Sequence, residues 1–245
     1  MSKPFLIIQL RPEDETADSE YAAMLHYGGL DPAECVRVRA EQAGLPDINL
    51  ADFSAIIVGG SPFDISTPAD EKSAIQVQVE ADFNALFDRV IPDDFPFLGC
   101  CSGNGLLGNY CGASISRTYG EPVSAQTISL TDAGKADALL AGCPDDFRVL
   151  LGHKEACDET PPGATLLAGS EACPVQMFRV GENVYATQFH PEGDPAGFAT
   201  RIEVYRHHGY FDPDGADALI KTLSSEDTPD ANRILRRFVD RYRAG

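Results

Sequence analysis

Two adjacent cysteines close the strand-like run in FPFLGCCSGNG, residues 95–105, and only one of them has the neighbours that chemistry requires. Gly99 and Gly103 stand two residues either side of Cys101. A strand that passes straight into a helix through a tight turn holds its central residue above the sheet, beside the N–H groups of the helix start. Such a turn is crowded and needs small neighbours. The G-x-C-x-G spacing therefore selects Cys101 as a nucleophile. Cys100 becomes a strand residue whose side chain faces the other way. The helix N-terminus is expected to lower the thiol pKa. A thiolate also needs an acid–base partner. Of the five histidines, His190 in VYATQFHPEG follows an apolar run, so it belongs at the C-terminal end of a strand. Open α/β sheets collect ligands and catalytic groups at that edge. Glu192 lies two residues on, across a proline. It is placed to accept a hydrogen bond from one imidazole nitrogen and to turn the other toward sulfur.

These residues need a scaffold, and the hydrophobic pattern supplies one. FLIIQL (5–10), CVRVRA (35–40), FSAIIVGG (53–60) and FPFLGCC (95–101) read as strands. Residues 18–28 and 69–90 read as helices, the second burying Ala74, Val77, Ala81 and Ala85. The alternation implies a parallel sheet with helices on its faces. Short strands near 124–130, 147–151, 164–168, 174–180 and 184–189 then suggest hairpins at one edge. A last helix starts at Thr228, an expected N-cap followed by proline, with Ile234, Leu235, Phe238 and Val239 as its buried stripe. The expected fold is α/β: an open, mainly parallel sheet flanked by helices, with a mixed or antiparallel edge, in one domain over 1–245.

The net charge of −19 argues against nucleic acid and membrane surfaces as partners. The opening MSKPFLIIQLRPEDE has too short an apolar run for a secretory leader, and no apolar run is long enough to span a membrane. Seven cysteines without paired spacing then read as reduced thiols in the cytoplasm, with no zinc site.

With GCCSG as a G-x-C-x-G elbow and QFHPE as a His–Glu signature, the sequence resembles the class I glutamine amidotransferase family, and IIVGGSP is similar to that family's oxyanion loop. The likeness is strongest to free-standing relatives of the GMP synthase glutaminase domain. The resemblance implies the flavodoxin-like fold of that family and a triad of Cys101, His190 and Glu192 that cleaves a γ-carboxamide through a γ-glutamyl thioester. It also implies oxyanion donors from Ser102 and from Gly59 and Gly60. It implies no metal or cofactor. Since no ATP pyrophosphatase domain follows in this chain, it further implies either that ammonia passes to a synthase partner subunit or that the reaction is plain hydrolysis. Two departures stand out. Gly105 replaces a glutamine that many members use near the substrate, and LGHKEACD replaces a Ser-His-Gly-Asp segment. Glu155, with His153 beside it, is the expected stand-in for that segment's acid, binding an α-ammonium. The substrate is accordingly glutamine or another γ-glutamyl amide or peptide. A non-catalytic partner-binding subunit is a further reading, opposed by the intact Cys–His–Glu set. A cysteine peptidase on a similar fold is opposed by Ser102, where such enzymes place histidine.

Overall fold

The computed structural model describes residues 3–208 and 211–243. β1 (Phe5–Gln9) leads to α1 (Asp14–Gly28), β2 (Cys35–Arg39) to the single turn α2 (Ala40–Ala43), β3 (Ala55–Val58) to α3 (Ala74–Val90), and β4 (Phe97–Cys100) to α4 (Ser102–Tyr110). The chain continues through β5 (Ile115–Ser116), β6 (Glu121–Leu130), α5 (Asp132–Ala136), β7 (Asp146–His153), β8 (Ala156–Cys157), β9 (Thr165–Gly169), β10 (Met177–Val180) and β11 (Val184–Thr187). It ends in α6 (Pro195–Val204), α7 (Ala216–Leu223) and α8 (Pro229–Tyr242).

Nine strands form one sheet in the order β2-β1-β3-β4-β11-β10-β9-β6-β7, and β5 pairs with β8 separately. The first five strands are parallel, while β10, β9, β6 and β7 run antiparallel to their neighbours. This is the expected α/β sheet with an antiparallel edge. FLIIQ, AIIV and VYAT are buried along their whole length because helices cover both faces there. Alternate residues feed two cores. Ile7, Ile57, Leu98 and Cys100 pack toward α1 and α8, with Met24 and Phe238 among their neighbours. Leu6, Ile8, Ile56 and Val58 pack toward α3 and α4, with Phe83, Phe87 and Leu107.

Two details of the sequence reading change. α3 begins at Ala74 because the Ser73 hydroxyl accepts the Gln76 N–H at 3.2 Å. Its buried face is Val79, Phe83, Leu86, Phe87 and Val90, while Val77 is 50% exposed. The aromatic and leucine side chains carry more apolar area than the alanine stripe, and they set the rotation of the helix. α8 buries Ile234, Leu235, Phe238 and Val239 as expected, but the Thr228 side chain makes no capping bond. Among the described residues, no helix is long and apolar enough to cross a membrane.

Candidate active site

β4 pairs in parallel with β11, Cys100 opposite Thr187, so the two strands deliver Cys101 and the QFHPE segment to the same sheet edge. Cys101 has φ 55° and ψ −94°, a region that non-glycine residues rarely occupy and that costs about 1–3 kcal/mol. The neighbours hold it there. The Cys101 N–H donates to the Thr187 carbonyl at 2.8 Å, and its own carbonyl accepts the Asn104 N–H at 2.9 Å. The two elbow glycines are unequal. A Cβ on Gly99 would fall 2.8–2.9 Å from backbone atoms of Gly103, whereas one on Gly103 would meet Val58 at an ordinary 3.6 Å. Gly99 is therefore the position where the helix backbone touches the strand.

The adjacent thiols have different surroundings. Cys100 is fully buried against α1 and α8, and burial, with Glu192 and Glu20 adding to it, pushes its pKa well up. Cys101 lines a pocket that His190 also lines. The expected lowering of its pKa is not found. Withdrawal from water pushes the thiol up to about 12, with Arg11 and Arg201 opposing and Glu192 and Glu20 reinforcing the rise.

His190 is buried, and its Nδ1 lies 2.6 Å from Glu192 Oε1. A carboxylate only accepts, so Nδ1 carries the hydrogen and Nε2 is left to accept a proton. Burial holds the His190 pKa below its ordinary value, with Glu192 opposing and Arg201 reinforcing. Burial pushes the Glu192 carboxyl up, but His190 and Arg201 outweigh it and hold the group well below the usual carboxylate range. The Arg201 Nη2 donates to the same Glu192 oxygen at 3.0 Å.

Behind this pair lies a charge network that the sequence did not announce. Glu20, from α1, accepts the Arg11 Nε–H at 2.7 Å and the Gln9 amide at 3.2 Å, and lies 3.7 Å from Arg201. It also accepts the Gly60 N–H at 3.1 Å, while the Gly59 N–H goes to the Ile8 carbonyl at 3.0 Å. Both glycine amides expected to serve an oxyanion are thus committed elsewhere. These glycines answer instead to close packing: a Cβ on Gly60 would lie 2.9 Å from His190 Cε1, and one on Gly59 would strike the Glu20 carboxylate. The Ser102 N–H opens α4, where no helical acceptor exists. The next amide along the loop, Ser61, makes no hydrogen bond among the described residues.

A second pocket meets the first at Cys101, Ser61 and Gly152. Gly105, Ser102, His153 and Glu155 line it, together with Phe63, Asp64, Lys154 and Gln188. Glu155 does not offer a free carboxylate for an ammonium group. Its oxygens accept the N–H groups of Ile65 at 2.6 Å and Ser66 at 2.8 Å, which fixes the loop after Ser61. His153 is also a structural tie, with Nδ1 2.9 Å from the Glu155 carbonyl and Nε2 3.0 Å from Glu121 Oε2. Sequence reasoning missed Asp64, whose pKa burial raises against the pull of Lys154 and Arg117, and Gln188, whose buried Oε1 has no partner. Gln188 opens the QFHPE motif, so its signal was present. Asp64 had none.

Two buried groups bring metal-type donors within 4.8 Å of one another: Glu20–His190–Glu192 and Glu121–His153–Cys173. In the first, Arg11 and Arg201 already neutralise the carboxylates. In the second, His153 and the Gln176 amide both approach the same Glu121 oxygen.

Comparison with known proteins agrees with the geometry. Chain segments are 36% identical over 110 residues to a glutamine-hydrolyzing GMP synthase subunit of Thermococcus kodakarensis, covering 44% of this chain and 57% of that protein. They are 30% identical over 149 residues to the corresponding GMP synthase subunit of Pyrococcus abyssi, covering 60% and 71%. The fold matches a crystal structure of a glutamine amidotransferase from Thermotoga maritima over all of both chains, with a TM-score of 0.79 at 19% identity. The sequence pattern of the family described as glutamine amidotransferase class-I fits residues 22–210, and the chain belongs to that family.

Proposed function

We propose that this chain hydrolyses the γ-carboxamide of glutamine or of a related γ-glutamyl amide through a thioester on Cys101. One observation carries the reading: Cys101, at the strained turn, lines the same cavity as His190, whose Nδ1 is tied to Glu192 at 2.6 Å. As the sulfur attacks the amide carbon, its proton passes to His190 Nε2. The carbon–nitrogen bond then breaks, and His190 returns the proton to the departing amine. Water adds to the thioester with His190 as base, releasing glutamate and restoring the thiol. Ser102 N–H and Ser61 N–H are the amides able to receive the oxyanion, and a fixed donor of this kind is worth about 3 kcal/mol. Gln188, with its unpartnered Oε1, takes over the ammonium-binding role first expected of Glu155, while Asp64 already meets Arg117 at 3.4 Å. The domain spans 1–245, and the reduced thiol suits a cytoplasmic setting. The relatives named as GMP synthase subunits support a synthase partner that receives the ammonia.

The test is release of glutamate from glutamine by the purified chain, together with labelling by an electrophilic glutamine analogue. Label on Cys101 and loss of turnover in Cys101→Ala support the reading. Turnover surviving in Cys101→Ala, or label on Cys100, overturns it.

A further inference from the structure

The two cavities meeting at Cys101 differ in kind, and a γ-glutamyl amide has two unlike halves. The polar cavity, with Asp64, Lys154 and Gln188, suits the amino-acid head of the glutamyl half. The other is walled by Val123, Phe198, Ile202, Tyr205 and Phe211, and it contains His190, the group that protonates the leaving nitrogen. Ammonia needs no such walls. Arg201 lines the same cavity at 7% exposure, with its guanidinium over the Phe198 ring at 5.0 Å. Its Nη2 is spent on Glu192, but its buried Nε and Nη1 have no acceptor among the described residues. Unmatched donors on a buried cation cost free energy until an acceptor, best a carboxylate, arrives.

Resting on the proposed γ-glutamyl hydrolase reading, we infer that the preferred substrate is a γ-glutamyl amino acid whose leaving residue is aromatic or large and apolar. The leaving side chain packs among Phe198, Ile202 and Phe211, and its α-carboxylate accepts from Arg201. Water enters, the Cδ–N bond breaks, and glutamate and the free amino acid leave; no other reactant is needed. Phe198, Arg201, Ile202, Tyr205 and Phe211 thereby set specificity.

The experiment compares kcat/KM for γ-glutamyl-phenylalanine, γ-glutamyl-glycine, γ-glutamyl-phenethylamide and glutamine. The expected order puts γ-glutamyl-phenylalanine first, at least tenfold above each of the others. The glycine compound lacks the side chain and the phenethylamide lacks the carboxylate, so each isolates one contact. Phe211→Ala should lower the ratio of γ-glutamyl-phenylalanine to glutamine turnover. Calorimetry on Cys101→Ala should show tighter binding of γ-glutamyl-phenylalanine than of the phenethylamide, a readout independent of turnover. Glutamine hydrolysed as fast as γ-glutamyl-phenylalanine overturns this inference and leaves the hydrolase reading standing. Equal binding and turnover of the phenethylamide overturns the carboxylate contact, and with it the amino-acid leaving group. No turnover of any compound and no label on Cys101 overturns both readings.

Discussion

His190 and His153 are both buried, and each has a ring nitrogen at hydrogen-bond distance from a buried glutamate, Glu192 or Glu121. The difference is the second nitrogen. His153 spends Nδ1 on the Glu155 carbonyl and Nε2 on Glu121, so both ends of the ring are tied into the fold. His190 ties only Nδ1, and its ring lines the cavity that holds Cys101. A histidine–carboxylate pair is therefore structural or chemical according to where its remaining nitrogen points. Residue type and burial do not separate the two.

Breaking each pair gives the sharpest contrast. His190→Ala should lower kcat by on the order of 10⁴-fold, since general base and leaving-group acid go together, and Arg201 still pairs the buried Glu192. His153→Ala should instead leave the buried Glu121 with the Gln176 amide but no cationic partner, and cost about 3 kcal/mol of unfolding free energy. Its effect on turnover should stay within about tenfold. Urea unfolding set beside steady-state rates separates the outcomes, and similar rate losses in both variants would erase the distinction.

Glu192→Gln should cost about 10²-fold, less than His190→Ala, because the amide still orients the ring in part. It also carries a pH signature. His190 titrates below its ordinary value, so kcat/KM should hold through pH 6.5 and fall only as pH drops further. Glu192 raises the His190 pKa, so removing its charge moves that acid limb to still lower pH even as the rate falls. A limb that moves upward in the variant contradicts the assignment. Glu121→Gln should leave the limb in place.

The elbow offers a smaller test. Gly99→Ala forces a methyl group onto the Gly103 backbone and should destabilise by about 1–3 kcal/mol. Gly103→Ala meets only ordinary contacts and should fall within about 1 kcal/mol of zero. Thermal unfolding measures both, and equal losses would mean the turn is crowded on both sides. The smallest effect belongs to Gly105→Gln. A Cβ there sits 3.6 Å from Ile65 and 3.7 Å from Glu155, so the backbone accepts it. The added amide should raise the ratio of glutamine to γ-glutamyl-phenylalanine turnover by severalfold. An unchanged ratio would make Gly105 a neutral variation.

The sequence alone determined what local pattern can encode. Apolar runs placed β1, β3, β4 and β11, because strands covered on both faces leave no polar alternation to misread. The glycines around Cys101 marked a strand-to-helix turn, and the proline between His190 and Glu192 held those two side chains near each other in the chain. Other features depended on partners distant in sequence. The rotation of α3 followed the bulk of Phe83 and Phe87 against the sheet. Burial pushes the Cys101 thiol up because folding withdraws it from water, which local order does not encode. The Gly59 and Gly60 amides went to Ile8 and Glu20, and Glu155 went to Ile65 and Ser66, because buried hydrogen-bonding groups take the acceptors and donors that packing brings to them. Only the tertiary structure could join Glu20 on α1 and Arg201 on α6 beside His190 and Glu192. Charges separated by that much chain interact only when the fold removes the water between them.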